Sequence, residues 1–427
     1  MIIVILLFFL LASFIFISFP IAFAIGIASL IIMQILNIPV SAAIVHTFGG
    51  IDSFAMMAIP FFILAGEIMG QAQVVEQIVN LANALVGGLR GGLGHVNVIG
   101  SMIFAGISGS GVADASAIGS ITIPSMIKQG YGKDFSVAIN SCAATIGPII
   151  PPSIPMILWG TLTGNSIGAL FLGGVLPGFL IGFGLMTMNH IICLKRGYFF
   201  KQGSFSFKRM VVTFLRSIGA LIMPFIIIGG IISGIFTATE AGVVAVVYGF
   251  LFGTLITRTL KLHHIPNLLI NSATTSAMVM YIIAMCMIFS NILSRLRFQE
   301  LAIAQILSIT HNPTLAVILV IILLLFLGCF IDPTALIIMF ATTLAALGNQ
   351  LGYHPIHFGV MIIIVMLIGA VTPPVGSMLF VSLGIAKIPL EESAGVLYPF
   401  IAVLVVVAFI VLLVPQTVTW IPGLVFG

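Results

Sequence analysis

The sequence predicts an all-α polytopic membrane protein, built as an inverted repeat with two re-entrant helical hairpins and two broken helices. Three observations predict it. Hydrophobic residues make up 61% of the 427 residues and charged residues only 6%, against about 25% charged in soluble domains. That is too little charge to coat a soluble globule or to keep a chain disordered. Apolar segments long enough to span a bilayer recur along the whole chain. Two regions of the chain carry the same polar interruptions at one fixed offset of 222 residues.

In chain order, spans are expected near 2–18, 20–36, 51–70, 132–160, 165–193, 213–234, 236–257, 268–290, 355–385 and 393–414. The first run has no basic stretch ahead of it and no small-residue cleavage pattern before Pro20, so it reads as a retained helix rather than a signal peptide. Asp52-Ser53 reads as the cap of the third span. Segments 95–128 and 314–348 are interrupted near the middle, by Ser108-Gly109-Ser110-Gly111 with Asp114 and by Gly328 with Asp332-Pro333. Their lengths suit two short helices that turn back on themselves. Segments 71–88 and 298–311 are less hydrophobic and read as interfacial arms ahead of the two hairpins.

Basic residues set the orientation. Lys195, Arg196, Lys201, Lys208, Arg209 and Arg216 mark 194–216 as a cytoplasmic loop. Counting back from it places the N-terminus outside, and only Arg295 and Arg297 fall on the outer side. The net charge of +4 comes from residues at span ends, which points to membrane lipid and gives no nucleic-acid surface. The four Cys and eight His show no metal spacing and no disulfide framework.

Gly106, Gly130 and Tyr131 match Gly328, Gly352 and Tyr353, and IGPIIPPS at 146–153 echoes IGAVTPPV at 368–375. An odd number of expected spans separates the copies, so they are inverted relative to each other. Inverted repeats with helices broken at the midplane are the signature of alternating-access transport. Pro151-Pro152 and Pro373-Pro374 remove backbone donors and interrupt the preceding turn. The carbonyls of Gly147, Ile150 and Pro152, and of Gly369, Thr372 and Pro374, are expected to lose their partners. Lipid cannot satisfy them; a sodium ion can, helped by the negative potential of a helix C-terminus.

At the first tip, Asp114 stands near a helix start, where it caps amides or supports the ion site. At the second, two readings of Asp332 stand side by side, direct cation ligation and helix capping. The helix N-termini after the breaks attract an anion, so a carboxylate substrate beside sodium is expected near Ser108–Gly111 and Gly328–Asp332. Glu67 reads as an interfacial or packing carboxylate, and Glu240, after Thr237 and Thr239, as a cap or a scaffold pair.

The residues also carry a family resemblance. FGGIDSFAMMAIPFFILAGEIM at 48–69, GGLGHVNVIGSMIFAGISGSGVADASAIGSITIPSM at 91–126 and IGPIIPPSIPMI at 146–157 are similar to the large membrane subunit of the tripartite ATP-independent periplasmic (TRAP) transporters. So are TEAGVVAVVYGF at 239–250, IDPTA at 331–335 and HFGVMIIIVMLIGAVTPPVGSMLFV at 357–381. The resemblance implies a sodium-driven elevator-type importer of organic acids in a bacterial inner membrane. The acids are C4-dicarboxylates, sialic acid or other sugar acids. It implies two partners, a small membrane subunit of four helices and a periplasmic substrate-binding protein, with the small subunit expected as a separate chain. By the same resemblance, Ser108, Ser110, Gly147, Ile150 and Pro152 form one sodium site. Gly328, Asp332, Gly369, Thr372 and Gly376 form a second, with Asp114, Pro151, Pro373 and Pro374 in support. No other cofactor is expected. The second tip reads GCFID, placing Cys329 where a hydroxyl would be more natural. A stand-alone sodium-dependent dicarboxylate permease and an ion channel are the competing readings; an intramembrane enzyme lacks a nucleophile–base pair.

Overall fold

A computed structural model describes residues 2–198 and 207–426, which hold helices and connections and no strand. Helices α1 (Ile2–Phe16), α2 (Ile21–Ile35), α3 (Val40–Ile51) and α4 (Ala58–Gln71) come first. Helix α5 (Val74–Val86) follows at 70° to α4. The first interrupted region resolves into α6 (Gly92–Ser108) and α7 (Gly111–Lys128), and the first broken helix into α8 (Lys133–Ala144) and α9 (Ile154–Thr163). Then come α10 (Ile167–Arg196), α11 (Phe207–Ile232), α12 (Ala238–Leu251, continued by a π-helical turn) and α13 (Ile265–Arg295). The second copy follows as α14 (Phe298–Ile309), α15 (Pro313–Gly328), α16 (Pro333–Gln350), α17 (Pro355–Gly369) and α18 (Ser377–Ala386). Helices α19 (Leu390–Leu413) and α20 (Gln416–Phe426) end the described chain.

Local chemistry explains the punctuation that the two copies share. The repeated Gly-Tyr closes a helix in each. Gly130 and Gly352 take left-handed φ values of 92° and 76°, which glycine adopts without a Cβ penalty. The following Tyr131 and Tyr353 amides donate back to the Met126 and Gly348 carbonyls at 3.1 and 2.9 Å, as in a Schellman cap. Each arm helix likewise starts after a left-handed residue, Gln73 before α5 and Arg297 before α14. The Pro151-Pro152 and Pro373-Pro374 peptides are both cis.

Among the described residues, five helices are long and apolar enough to cross a membrane unaided: Ile167–Arg196, Met210–Ile232, Ala238–Ile256, Leu262–Arg295 and Leu390–Leu413. The expected spans at 2–18 and 20–36 are helices of 15 residues, about 22 Å at 1.5 Å per residue. Each stops early because a left-handed residue follows, Ser18 or Asn37. The expected span at 51–70 is corrected more sharply. Its first residue closes a separate helix, α3, and α4 begins only at Ala58. Asp52 is therefore the C-cap of α3 rather than a cap of α4, whose N-cap is Met57. Of the expected loop 194–216, residues 199–206, with Lys201, lie outside the described residues. Lys195 and Arg196 close α10, and Lys208, Arg209 and Arg216 fall in α11. Glu240 does act as a cap. It forms a capping box with Thr237 at the start of α12.

Packing crosses between the copies. Helix α7 lies against α18, and α16 lies against α9, so each tip helix covers the second half of the other copy's broken helix. Helices α10, α17 and α19 pack around this centre, with α20 laid along α10. A second group, α2, α3, α4 and α12, gathers on α13 or on one another and meets the first group mainly through α4–α6 and α13–α16. Buried residues of α17 run without interruption from Ile356 to Gly369, as expected of a helix enclosed by protein on every side.

Candidate functional site

In the first copy the tip is a two-residue turn. Gly109 has φ +61°, and its carbonyl accepts from the Ile154 amide at 3.3 Å, beyond the proline pair. The second copy repeats the tie between the Val375 amide and the Cys329 carbonyl at 3.1 Å. Tip and break are thus clamped in each copy by a main-chain hydrogen bond.

Ser108, Asp114 and Gly147 meet at the first clamp. The Ser108 hydroxyl donates to one carboxylate oxygen of Asp114. Asp114 is wholly buried, and its other oxygen has no hydrogen-bond partner among the described residues. That oxygen packs on Gly147, where no side chain could fit. The capping role expected of Asp114 is corrected: Ser110 is the N-cap of α7 and accepts from the Ala113 amide. Asp114 lies one turn further along, too deep to reach the free amides. Pro152 stands beside Gly109, its carbonyl 2.7 Å from a Cβ built there, whereas the Ile150 side chain turns toward Gly178 of α10. Among the described residues, no hydrogen bond reaches the carbonyls of Gly147, Ile150 or Pro152.

The second clamp is built differently. Gly328 and Gly369 cross so closely that a Cβ on Gly369 would lie 2.5 Å from the Gly328 Cα. Asp332 is the N-cap of α16, accepting from the Thr334 amide at 2.9 Å. Its other oxygen accepts from the Ser377 hydroxyl at 3.4 Å. Ser377 thus supplies the hydroxyl that the tip sequence lacks, while the Cys329 thiol turns back to the Leu325 carbonyl. The carbonyls of Thr372 and Pro374 accept nothing among the described residues. The expectation for Gly369 is corrected. Its carbonyl accepts from the Thr372 amide at 3.0 Å, because a tight turn prolongs α17 before the proline pair. Gly376 is engaged too, its carbonyl accepting from the Phe380 amide as α18 starts. Pro373 and Pro374 stand between these two turns, the first half-buried and the second exposed.

Both tips open onto one cavity of about 510 Å³. Four helix N-termini line it: Gly111 to Ala113 of α7, Ile154 and Pro155 of α9, Pro333 and Thr334 of α16, and Ser377 and Met378 of α18. Helix N-termini carry positive potential, and the amides of Gly111, Val112 and Ser377 meet no acceptor among the described residues, so their convergence favours an anion without a basic side chain. No Lys, Arg or His lines the cavity among the described residues; its charged wall residues are Glu67 and Asp332. Ser108 to Gly111 and Asp332 are on the wall as expected, and Gly328 is not, being sealed against Gly369. Sequence reasoning missed Glu67, Thr275, Thr334 and Ser377 as wall residues. Only Glu67 carried a signal, a carboxylate within an otherwise apolar span.

A helical chain folded into two cross-packed copies around a shared anion-favouring cavity defines a multi-pass membrane permease. The family model for the tripartite ATP-independent periplasmic transporter, DctM component, matches residues 8–417, and the chain belongs to that family as its large permease subunit. It is 36% identical over 416 residues to the sialic acid TRAP transporter large permease protein SiaM of Vibrio cholerae, covering 96% of each chain. It is 35% identical to the C4-dicarboxylate TRAP transporter large permease protein DctM of the same organism, covering 99% of this chain and 98% of that one. Among solved structures, Neisseria gonorrhoeae MtrF, described with a class of antimetabolite efflux pumps, superimposes with a TM-score of 0.58 at 12% identity. The match covers 86% of this chain and 83% of that one, and speaks to the fold alone.

Proposed function

We propose that this subunit imports an organic acid across a bacterial inner membrane, coupled to sodium, by alternating access in which the two tips and broken helices move as an elevator against α4, α12 and α13. The observation that carries this reading is the convergence of four helix N-termini on a cavity that no basic side chain lines among the described residues. Such a site holds a carboxylate through main-chain amides and hydroxyls. The relatives named for sialic acid and C4-dicarboxylates support a substrate among such acids.

Sodium suits the two clamps. A hard cation takes oxygen ligands, and the first clamp offers the buried Asp114 oxygen against Gly147, together with the carbonyls of Gly147 and Pro152, none of which has a hydrogen-bond partner among the described residues. Asp332 would serve the second clamp together with the free carbonyl of Thr372. Each ion would cancel a carboxylate charge next to the anion site, so cation and substrate favour each other's binding. Partners follow from the family. A small four-helix membrane subunit and a periplasmic binding protein complete the transporter, with the N-terminus of this chain on the periplasmic side.

Reconstitution with the small subunit in proteoliposomes, against a panel of periplasmic binding proteins and acids, tests the reading. Uptake should require an inward sodium gradient and one particular binding protein. Uptake that is indifferent to both would reject it in favour of a stand-alone permease.

A further inference from the structure

This inference rests on the acid-carrying reading above and concerns which acid. The cavity is electrically lopsided. On the hairpin side it is lined by the starts of α7, α9, α16 and α18. On the α4–α13 side it is lined by Glu67, which stands four residues before α4 ends at Gln71. A helix C-terminus carries negative potential, so the end of α4 adds to the Glu67 charge.

The two wall carboxylates are not equivalent. Asp332 is engaged by the Thr334 amide at 2.9 Å and the Ser377 hydroxyl at 3.4 Å. Glu67 has neither a hydrogen bond nor an ion pair among the described residues, although it is partly buried. No other charged side chain of the wall offsets it. It is an acceptor waiting for donors, and ionised carboxylates accept only. An acid that seats its carboxylate on the helix N-termini turns its far end toward the α4–α13 wall. A hydroxyl or ammonium there would complete Glu67. A second carboxylate would meet a like charge at a partly buried position, where repulsion is stronger than between two fully solvated groups.

We propose that Glu67 is a specificity-determining residue that selects a monocarboxylic acid bearing hydrogen-bond donors, hydroxyl or ammonium, on its far end, and rejects a dicarboxylate. Unpaired polar groups in a binding site discriminate most strongly against ligands that leave them unpaired.

The test uses this chain purified with its small membrane subunit, in saturating sodium chloride, without the binding protein, so that only the membrane site chooses. Affinity is measured for three probes of matched length: succinate, 4-hydroxybutyrate and 4-aminobutyrate. The parent should bind the two donor-bearing acids at least fivefold more tightly than succinate. Glu67→Gln should bring all three within about twofold by strengthening succinate, and Glu67→Asp should keep the preference. Equal affinities in the parent, or a ratio unmoved by Glu67→Gln, overturn the inference. No binding of any acid, in parent and variants whose thermal unfolding is unchanged, overturns it together with the acid-carrying reading on which it rests.

Discussion

Ser110 and Asp332 hold the same place in the two copies: each is the N-cap of the helix that leaves its tip, and they stand at the repeat offset of 222 residues. The residue type differs, and with it the chemistry. The second copy puts its carboxylate at the cap itself, facing the cavity. The first copy caps with a hydroxyl and keeps its carboxylate one turn deeper at Asp114, wholly buried. One architectural position thus yields two differently charged sites.

Asp332 therefore has two separable jobs. Asp332→Asn keeps a capping oxygen, and Asp332→Ala loses the cap at about 1 kcal/mol. Both should raise the half-saturating sodium concentration at least tenfold. A sodium titration of uptake beside a thermal unfolding curve separates the two roles. Unchanged sodium affinity in Asp332→Asn would leave only the cap.

Asp114→Asn removes the charge while keeping the Ser108 contact and the volume. Since no described donor meets the second carboxylate oxygen, the fold has little to lose. Sodium-driven uptake should fall by at least 100-fold with an unfolding midpoint equal to or above the parent's. A drop in midpoint with normal sodium response would make Asp114 a structural residue.

The crossing of Gly328 and Gly369 leaves no room for a methyl group. Gly369→Ala should destabilise by about 1–3 kcal/mol, the usual range for overpacking. Thermal unfolding in detergent reads this directly, and a neutral result would show that the two helices can part at no expense.

Asn140 knots four helices. It accepts from Asn97 of α6 at 2.8 Å and donates to the Ala115 carbonyl of α7 at 3.0 Å and to Ser382 of α18 at 2.8 Å. All three side chains are fully buried. Asn140→Ala strands those groups and should destabilise by about 1–3 kcal/mol. Ser382→Ala should do less, and the double variant should fall short of the sum, as groups in one network do.

The sequence made the breaks legible because glycine and proline act locally: the tips, the proline pairs and the Gly-Tyr caps all stand where the pattern put them. Helix α3 was hidden because His46, Thr47, Gly49 and Gly50 dilute its hydropathy and Asp52 mimics a start signal. What could not be read was contact between distant segments. Nothing local to Asp114 says that Ser108 engages it, nor does anything local to Cys329 say that Ser377 stands in for a missing hydroxyl. The meeting of four N-termini joins residues from 111 to 378, and periodicity carries no information over such separations.

Because α7 covers α18 and α16 covers α9, neither half of the chain owns a complete interior. A severed half would show the lipid a bare seam along its own short helix, one that only its counterpart can close. Split in the connection between α10 and α11, the two pieces should therefore regain a working permease only when made together in the same membrane.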